Sequence, residues 1–460
     1  MERACCVILA AGDGKRMKSA RPKVMCEVLF KPMIQWVTDA CQAAGIQNGC
    51  VVTGDSPEEI RACLPVSYAT TAQQERRGTG HAASMAASYI REGGYEQILV
   101  AYGDMPFLRP SDLSASLEVH KSGNNSVTLF AAELDNPYGY GRLITEGGSV
   151  SRIVEEKDAD DKTKEIRLVN AGIYWFDADF LLTFFENMRN DNLQEEFYLT
   201  DAVGFAVQSG GSVGVFYVPQ MVSLGANDRT ALAELNRKAR ETVLVQHMEN
   251  GVNIPFADGV VIGSDVRIGK DTTILPGTII KGASIIGEGC EIGPNSNLSN
   301  AIIGDECKII SSQIENSRVA NRTKIGPMSN IRPNCDIGPR VKIGDFVEVK
   351  NSIVGENTSI AHLTYVGDTD LGAGCNLGCG VVTVNYDGQS KYRTVIGDGV
   401  FLGCNCNLIA PVTIGDRVYA AAGTTITKDI PPDALVIGRA RETIKENWAK
   451  KHGLHTKKKD

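Results

Sequence analysis

The first residues of this chain whose types could do chemistry follow an apolar run near the N-terminus. Leu9 to Gly12 open the stretch LAAGDGKRM, and RPKVM follows after a short gap. Small residues and glycines let backbone N–H groups approach a polyphosphate, and Arg16 and Lys23 add mobile positive charge. The stretch lacks the spacing of a Walker loop, and Met17 stands where a dinucleotide fingerprint needs its third glycine. The pattern predicts a phosphate-binding loop of another kind. The alternative is an ordinary strand-to-helix turn with incidental charges.

Two further segments predict groups for the same site. The segment GTGHA, Gly78 to Ala82, offers a second set of backbone donors ahead of a helix. Asp104 follows the apolar run QILVAY, which is typical of a central strand. A carboxylate at that position is the expected ligand for a Mg²⁺ ion that bridges nucleotide phosphates. The alternative role for Asp104 is a helix N-cap.

A second candidate site lies in the C-terminal half. His362, in AHLTYVGD, is the only histidine of the repeat region described below, which excludes a three-histidine zinc site. The interval from Arg332 to Lys350 spans three hexapeptides, and the interval from Lys350 to Tyr365 is somewhat shorter. Both intervals approach whole coils, so we expect the three side chains, with Asn376, to stack along one edge. A neutral imidazole can take a proton from an amine that attacks a thioester, and the two basic residues suit a phosphate. A purely structural histidine is the alternative.

The elements that must hold the first site alternate between strands and helices. Residues 1–226 combine short apolar runs, such as CCVILA, with helix-like stretches, such as MIQWVTDACQA. This alternation predicts βαβ units and a mostly parallel sheet covered on both faces, with ligands at the carboxyl ends of the strands. No glycine or proline occurs from Asp228 to Asn250, and apolar residues there approximate one helical face. We therefore expect a connecting helix in that segment.

The elements that must hold the second site follow a six-residue period. Aliphatic residues recur every six positions from Ile262 to Leu298, and the register returns from Ile325 to Ile343. No helix has this period, and strands of a sandwich would not keep its phase. Short strands separated by corners have a six-residue period and keep its phase, so the pattern predicts a hexapeptide β-helix of about ten coils. The stretch from Asn385 to Thr394 breaks the repeat and is expected to project as a loop.

Composition limits the class of protein. The chain has 460 residues, enough for two or three domains, and its net charge of −8 argues against bulk nucleic-acid binding. No apolar run approaches the ~18 residues needed to span a bilayer, and the N-terminus lacks the layout of a signal peptide. The 13 cysteines include no CxxC pair and predict neither a disulfide framework nor a zinc ribbon. We expect a reduced, cytoplasmic protein with small-molecule substrates and with no nucleic-acid or membrane partner.

The order of the motifs is more specific than any one of them. LAAGDGKRM, GTGHA, YGDMP, GYGRL, VEEKD, NAGIY and GAND precede the expected connecting helix, and repeats with HLTYVGD and NYDG follow it. Over nearly all of its length, the chain resembles the bifunctional N-acetylglucosamine-1-phosphate uridyltransferases and glucosamine-1-phosphate N-acetyltransferases. The resemblance implies an α/β fold with a Rossmann-like nucleotidyltransferase domain (1–227), a helical linker (228–250), and a left-handed parallel β-helix with a C-terminal tail (251–460).

The resemblance also implies a function. Acetyl-CoA would acetylate glucosamine-1-phosphate, and UTP with Mg²⁺ would then convert the product to UDP-N-acetylglucosamine and pyrophosphate. This product would supply cell-wall peptidoglycan, and lipopolysaccharide where it is present. Solenoid acyltransferases of this type resemble one another in pairing three parallel prisms, which implies a homotrimer.

For the first site, the resemblance assigns catalytic roles to Arg16 and Lys23. Arg16 would stabilise charge as the sugar phosphate attacks the α-phosphorus of UTP, and Asp104 and Asn227 would hold Mg²⁺. The implied substrate contacts are Leu9, Ala10, Ala11, Gly12, Lys23, Gln73, Gly78, Thr79, Tyr102, Gly103, Gly141, Glu155, Asn170 and Asn227.

For the second site, the resemblance makes His362 the general base. The implied contacts with glucosamine-1-phosphate are Arg332, Lys350, Tyr365, Asn376 and Lys391, and those with acetyl-CoA are Cys379, Asn385, Tyr386, Cys404, Ala422 and Arg439. Cys404 stands where serine is usual in the family and Cys379 where alanine is common, which puts a hydroxyl role at position 404 in doubt. A covalent acyl-enzyme on Cys404 is the alternative to direct attack by the amine.

Two other functions remain open at this point. One is a single-activity sugar-1-phosphate nucleotidyltransferase whose solenoid is regulatory or oligomerising, which leaves His362 and Lys350 unexplained. The other is a non-enzymatic solenoid scaffold with a degenerate nucleotide-binding domain. That function would need a damaged metal site, whereas Lys23, Asp104 and Asn227 are all present.

Overall fold

The computed structural model describes residues 3–12, 14–54 and 57–454. The chain divides into two compact units, Met1–Thr242 and Val243–Asp460. The division falls inside the helix Arg229–Glu249, which occupies the segment where the sequence predicts a connecting helix. The boundary between the compact units therefore lies within this helix.

The N-terminal unit is built from alternating strands and helices. The strands are β1 Ala4–Ala10, β2 Glu27–Val28, β3 Lys31–Pro32, β4 Asn48–Thr53, β5 Tyr68–Ala72, β6 Gln97–Tyr102, β7 Val127–Glu133, β8 Arg142–Glu146, β9 Ser149–Val154, β10 Leu168–Asp177 and β11 Val213–Tyr217. The α-helices are α1 Met33–Ala43, α2 Pro57–Ala62, α3 Thr79–Ser84, α4 Ala87–Gly93, α5 Pro110–Ser122, α6 Asp161–Lys164, α7 Ala178–Asn187, α8 Asp201–Gln208 and α9 Arg229–Glu249. Short 3₁₀ helices span Lys15–Met17, Lys23–Met25 and Gln220–Ser223.

The main sheet of this unit is mixed, with the strand order β11-β7-β10-β6-β1-β4-β5. Strand β1 pairs in parallel with β4 and β6, and β4 pairs in parallel with β5. Strand β10 runs antiparallel to both β6 and β7, so the sheet predicted as mostly parallel contains one internal antiparallel strand. The parallel strands β1, β4, β5 and β6 end at one edge, where the loops of the first candidate site begin.

Strand β1 shows why the sheet is covered on both faces. All seven of its residues are buried. Cys6 and Ile8 pack into the core on one face of the sheet together with Trp175, whereas Val7 and Leu9 pack into the core on the other face. A continuous apolar run with side chains alternating between two cores is the pattern of a central parallel strand.

Helix α9 is stabilised by side-chain pairs along its exposed surface. Asp228 caps its first turn by accepting a hydrogen bond from the Ala231 N–H at 2.8 Å. Arg237 forms ion pairs with Glu234 and Glu241, both 2.6 Å, at the i,i+3 and i,i+4 spacings that bring charges together on a helix.

Across the described ranges, no helix has the combination of length and apolar character needed to cross a bilayer.

In the C-terminal unit, three parallel sheets enclose one core. Face 1 contains Val261–Ile262, Ile279–Lys281, Asn297–Ser299, Gln313–Glu315, Asn330–Ile331, Glu348–Lys350, Tyr365–Gly367, Val382–Val384, Asn407–Ile409 and Thr425–Ile426. Face 2 contains Arg267–Ile268, Ile285–Ile286, Ile302–Ile303, Arg318–Val319, Asp336–Ile337, Ile353–Val354, Thr369–Leu371, Thr394–Ile396 and Val412–Ile414. Face 3 contains Thr273–Ile274, Glu291–Ile292, Lys308–Ile309, Lys324–Ile325, Lys342–Asp345, Ser359–His362, Asn376–Leu377, Phe401–Leu402, Tyr419–Ala420 and Leu435–Val436. A short helix, Trp448–Lys451, follows.

The six-residue period corresponds to one inward side chain on each face. Ile280, Ile286 and Ile292 lie on faces 1, 2 and 3 in turn, and each is buried. Small buried residues fill the corners, and Thr272 joins two coils there, because its hydroxyl donates to the Gly287 carbonyl at 2.7 Å. The unit is therefore a left-handed parallel β-helix, as the repeat and the family resemblance predict.

The segment that breaks the repeat forms an exposed hairpin-like loop. Tyr386 and Lys391 form an antiparallel bridge, and both side chains are exposed. Between them, the Asp387 carboxylate accepts hydrogen bonds from the backbone N–H groups of Gln389 and Ser390 at 2.8 and 2.7 Å. The predicted projecting loop is present.

We expect inward aliphatic residues to carry the stability of the β-helix. Ile360→Ala removes a fully buried side chain and should lower the free energy of unfolding by about 2–5 kcal/mol, because a cavity remains in a closed core. Urea unfolding followed by circular dichroism measures this. The matched control is Ile353→Ala, which should change the free energy by less than about 0.5 kcal/mol, since Ile353 is exposed and aligned with Asp336 and Asp370. Equal effects of the two substitutions would contradict this account of the core.

Candidate functional site

The first candidate site is a cleft at the carboxyl ends of β1, β5 and β6. One part of the cleft is formed by loops that follow these strands. The predicted residues that line it are Leu9, Ala10, Ala11, Gly12, Lys23, Gln73, Gly78, Thr79, Tyr102 and Asp104. These residues lie far apart in the sequence and are brought together because parallel strands end at a common edge.

A second cavity adjoins the first. The predicted residues that line it are Arg16, Lys23, Thr79, Tyr102, Asp104, Gly141, Glu155, Asn170 and Asn227. Lys23, Thr79, Tyr102 and Asp104 line both cavities, so the two form one continuous cleft. Gly103 lies under it, where its N–H donates to the Leu9 carbonyl at 2.9 Å and ties β6 to the end of β1.

Lys23 lies between the two predicted metal ligands. Its ammonium nitrogen is 2.5 Å from Asp104 Oδ2 and 2.8 Å from Asn227 Oδ1. The two side-chain oxygens therefore converge on one point that favours a cation, and carboxylate and amide oxygens are ligands that Mg²⁺ accepts. Within the described residues, no group of three or more His, Cys, Asp or Glu side chains is arranged to hold a metal.

The loop after β5 is held by the Gln73 side chain. Gln73 is buried, and its amide donates to the Gly78 carbonyl at 3.1 Å and lies 3.1 Å from His81 Nδ1. Gly78 has φ +103°, and a Cβ there would lie 2.5 Å from the Phe197 carbonyl oxygen. Glycine is therefore required at this position, and it leaves backbone groups facing the cleft.

The far end of the cleft is shaped by a bulge in β10 between Asn170 and Tyr174. The Asn170 amide donates to the Tyr174 hydroxyl at 2.6 Å and its oxygen accepts from the Gly172 N–H at 3.0 Å. Glu155 accepts a hydrogen bond from the Thr200 hydroxyl at 3.0 Å, and burial raises the pKa of Glu155 above its ordinary value. Acceptors and donors are thus fixed in place at this end.

Sequence reasoning missed several residues of this cleft. Arg76 lines the first cavity, and its Nε donates to the Ala11 carbonyl at 3.0 Å. Tyr140 lines the second cavity and donates its hydroxyl to the Ser223 carbonyl at 3.2 Å. Gly225 is also part of that cavity, and a Cβ there would lie 3.1 Å from Asp104 Oδ2. Tyr140 and Gly225 lie inside the motifs GYGRL and GAND, and Arg76 lies shortly before GTGHA, so each of them had a sequence signal.

The second candidate site lies where face 3 meets face 1. His362 ends a strand of face 3, and Tyr365 begins the next strand, on face 1. Arg332 is aligned with Lys350, as their separation by three hexapeptides predicts. Tyr365 is aligned with Glu348 instead of Lys350, so the expectation from the shorter interval was wrong. The coil from Glu348 to Tyr365 is thus slightly shorter than three hexapeptides, and the alternation of the strand keeps Tyr365 on the same side as Lys350.

Two carboxylates that the sequence did not single out pair with the predicted residues. The His362 Nδ1–H donates to Asp345 Oδ1 at 2.6 Å, and this hydrogen bond holds the pKa of Asp345 below its ordinary value. Glu348 accepts from Arg332 Nη1 at 2.8 Å. Both pairs join neighbouring coils. Their only sequence signal was a separation close to one turn of the β-helix.

Positive charge accumulates beside these pairs. The nearby ammonium of Lys391 lowers the pKa of Lys350 below its ordinary value. Asp368 accepts hydrogen bonds from Asn351 and, through its other oxygen, from the Asn385 amide, each at 2.5 Å. Two like charges held this close favour an anion between them.

The predicted acetyl-CoA residues form a line along successive corners. Asn405 N–H donates to the Cys379 carbonyl at 2.8 Å, Gly423 N–H donates to the Cys404 carbonyl at 2.8 Å, and the Arg439 guanidinium donates to the Ala422 carbonyl. Cys404 is exposed and Cys379 is half-buried. Tyr386 is exposed on the projecting loop. The strand pairing places Asn376 opposite Ser359, at the other end of the strand from His362.

Family models match a separate segment in each of the two units. The family model of the MobA-like NTP transferase domain matches residues 6–165, and the model of the GMPPB C-terminal domain matches residues 313–414.

Three curated relatives, each named bifunctional protein GlmU, match over their full length. The protein from Caldanaerobacter subterraneus subsp. tengcongensis is 45% identical, over 97% of this chain and 98% of its own. The protein from Fervidobacterium nodosum is 45% identical over 99% of both chains. The protein from Acetivibrio thermocellus is 44% identical over 100% of both chains. Identity at this level, from end to end, extends through both candidate sites. The chain belongs to the family of bifunctional GlmU proteins.

Proposed function

We propose that this protein synthesises UDP-N-acetylglucosamine in two steps, with one active site in each compact unit. In the first step, acetyl-CoA acetylates glucosamine-1-phosphate in the β-helix. In the second, UTP and N-acetylglucosamine-1-phosphate react in the N-terminal cleft and release pyrophosphate. The product supplies peptidoglycan synthesis. The observation that carries this proposal is the presence of two complete polar sites in a chain that matches bifunctional relatives over its full length.

In the N-terminal cleft, the first cavity suits the nucleotide and the second suits the sugar phosphate. Small residues of the loop after β1 let its backbone approach phosphates, and the Gln73 amide and the backbone at Gly78 offer polar contacts to a base. Glu155 and Asn170 present polar groups to the sugar in the second cavity. The site of reaction therefore falls where Lys23 and Asp104 line both cavities.

The chain's own residues then stabilise charge while the phosphorus is displaced. The sugar phosphate oxygen forms a bond to the α-phosphorus of UTP, and the bond to pyrophosphate breaks. Arg16 and Lys23 stabilise the negative charge that spreads over the phosphate oxygens. Asp104 and Asn227 would hold Mg²⁺, which neutralises phosphate charge when bound.

In the β-helix, Arg332, Lys350 and Lys391 would bind the phosphate of glucosamine-1-phosphate, with Tyr365 beside them. His362 would take the proton from the amine as its nitrogen attacks the thioester carbonyl. The carbon–sulfur bond then breaks and the coenzyme A thiolate leaves, taking up that proton.

The acetyl-CoA thioester would lie along the line of corners from Cys379 to Arg439. Contacts with the cofactor there come from the backbone as well as from side chains, since Cys404 and Ala422 offer only small groups. We favour direct attack by the amine over an acyl-enzyme on Cys404, because the imidazole of His362 is hydrogen-bonded to Asp345 and not to a thiol.

A ladder of exposed apolar corners supports assembly of this protein as a homotrimer. Met328, Phe346 and Leu363 occupy aligned corners on three successive coils and are 60%, 60% and 58% exposed. All three have positive φ, of 56°, 54° and 46°, where glycine or asparagine is the usual choice. Apolar side chains kept exposed at such positions are typical of a protein interface. We propose that further copies of this chain cover them.

The cysteines support a reducing compartment, such as the cytoplasm, as the place of action. All 13 are free thiols in the structure, and most are buried. Free thiols in this number are typical of proteins from reducing environments.

We expect Asp104→Ala to abolish uridyl transfer and leave acetyl transfer intact. The nucleotide phosphates lose their cation anchor, so the rate should fall at least about a hundredfold. Coupled assays for pyrophosphate release and for coenzyme A release measure the two activities separately. Asp135→Ala removes an exposed carboxylate of the same unit and should leave both activities unchanged. Loss of both activities in a folded Asp104→Ala protein would contradict the two-site proposal.

We expect His362→Ala to lower acetyl-transfer turnover by about 10²–10⁴-fold, the usual worth of a general base. The wild-type rate should fall at acidic pH as the imidazole is protonated, and this limb should be absent in the variant. Uridyl transfer from supplied N-acetylglucosamine-1-phosphate serves as the internal control and should be unchanged. A variant with most of its acetyl-transfer turnover and the same pH profile would show that His362 is structural.

We expect Phe346→Ser to weaken the trimer. Light scattering coupled to size-exclusion chromatography should give three times the 49.4 kDa chain mass for the wild type and a smaller species for the variant. Phe256→Ser alters another exposed phenylalanine of the same unit, outside the ladder, and should leave the mass unchanged. A monomeric wild-type protein would refute the proposed assembly.

A further inference from the structure

The proposed acetyl-transfer site contains a carboxylate whose role its sequence position does not reveal. Asp345 lies one coil before His362, and the two are aligned partners in the ladder between Lys342–Asp345 and Ser359–His362. These two strands have four residues each, whereas the other described strands of face 3 have two. The ladder is therefore extended at the one place where it brings this pair together.

The local backbone holds the pair at hydrogen-bond distance. The His362 Nδ1–H donates to Asp345 Oδ1 at 2.6 Å. Gly344 precedes the aspartate, and a Cβ there would collide with the Ala361 carbonyl, so glycine lets the two coils approach. The Thr364 hydroxyl donates to the His362 carbonyl at 2.7 Å and holds the backbone at this residue.

The charges nearby leave Asp345 as the carboxylate that acts on the imidazole. On face 1, Glu348 is engaged by Arg332 at 2.8 Å, and the other titratable groups of the adjacent strands are Lys350 and Tyr365, neither of which is a carboxylate. On the following coil the corner after the paired strand carries Cys379. The imidazole and the aspartate remain partly accessible, at 57% and 39% side-chain exposure, so a substrate can reach the ring.

We propose that Asp345 is a positioning residue for acetyl transfer, whose carboxylate orients the His362 ring and stabilises it when it is protonated. The hydrogen bond to Nδ1 selects the tautomer in which Nε2 carries the lone pair that faces the amine. As the amine nitrogen bonds to the acetyl carbon and the carbon–sulfur bond breaks, the amine proton moves to Nε2. Asp345 keeps its negative charge throughout and compensates the imidazolium. This inference rests on the proposed function of His362 as the base.

Two substitutions of Asp345 separate orientation from charge. Asp345→Ala removes both and should lower kcat for acetyl transfer about tenfold to a hundredfold, less than the loss of the base itself. KM for glucosamine-1-phosphate and for acetyl-CoA should stay within about twofold, because Asp345 acts through His362 and touches neither substrate. Asp345→Asn keeps an acceptor oxygen for Nδ1, so kcat should recover in part. It lacks the charge, so the acidic limb of its kcat profile should move to lower pH.

Two controls accompany these variants. Glu356→Gln removes a carboxylate from a comparable exposed pair, with Arg340 at 2.7 Å, and should leave kcat and the acidic limb unchanged. Uridyl transfer, measured on the same preparations, should be unchanged in every variant and reports that the N-terminal unit is folded.

The possible outcomes distinguish a failure of the positioning role of Asp345 from a failure of His362 as the base. If both Asp345 variants keep the wild-type kcat and the wild-type acidic limb while His362→Ala is inactive, the positioning role of Asp345 is overturned. The role of His362 as the base would then stand. A rise in KM at constant kcat would also overturn it, since Asp345 would then bind substrate. If His362→Ala is itself active, the assignment of the base fails and this inference fails with it. Should Asp345→Ala not fold, the kcat and pH profile of the isosteric Asp345→Asn decide the question.

Discussion

The second site depends on one constraint, the in-register stacking of successive coils of the β-helix. Backbone hydrogen bonds hold each coil on the next, so a residue lies over its counterpart one coil earlier, about 4.8 Å away. Polar residues at the same corner of consecutive coils therefore form a cluster as a direct result of this stacking. The pair His362–Asp345 arises in this way. Arg332 instead reaches Glu348, which lies two residues before Lys350, its own counterpart on the next coil. The inward aliphatic ladder supplies the rigidity that fixes their geometry.

The first site depends on a different property of the backbone, the common edge at which parallel strands end. The loops after β1, β5 and β6 meet there, and each contributes backbone groups as well as one decisive side chain. Gly78 shows how this arrangement restricts the sequence, because no other residue fits its backbone conformation against Phe197. The ammonium of Lys23, between Asp104 and Asn227, shows that the edge is arranged around positive charge.

The two sites use charge in opposite ways. In the N-terminal cleft, the side-chain oxygens of Asp104 and Asn227 attract a cation, which is the Lys23 ammonium in the structure and would be Mg²⁺ in the proposed function. In the β-helix, Lys350 and Lys391 lie close enough to disfavour each other's charge, and a phosphate would relieve that repulsion. The exposed corner residues beside His362 carry a further cost, since each non-glycine residue in the left-handed region costs about 1–2 kcal/mol. The proposed interface over Phe346 and Leu363 would offset such a cost by removing apolar surface from water.

The sequence by itself determined the architecture, because periodicity is a local property. The six-residue spacing from Ile262 to Leu298 is the period of a three-sided coil, and the apolar run before Gly12 is typical of a central strand. It also determined most of the chemistry-bearing residues, since motifs such as GTGHA and HLTYVGD keep their members adjacent. Only the tertiary structure decided which partner each of these residues meets. Asp345 and Arg76 do not belong to any recognisable motif. Their roles follow from strand register and from loop packing, and both of these depend on contacts between residues that are distant in the chain. The same reason explains the error at Tyr365: the coil that ends there is slightly shorter than three ideal hexapeptides, because its length is set by how the corners pack.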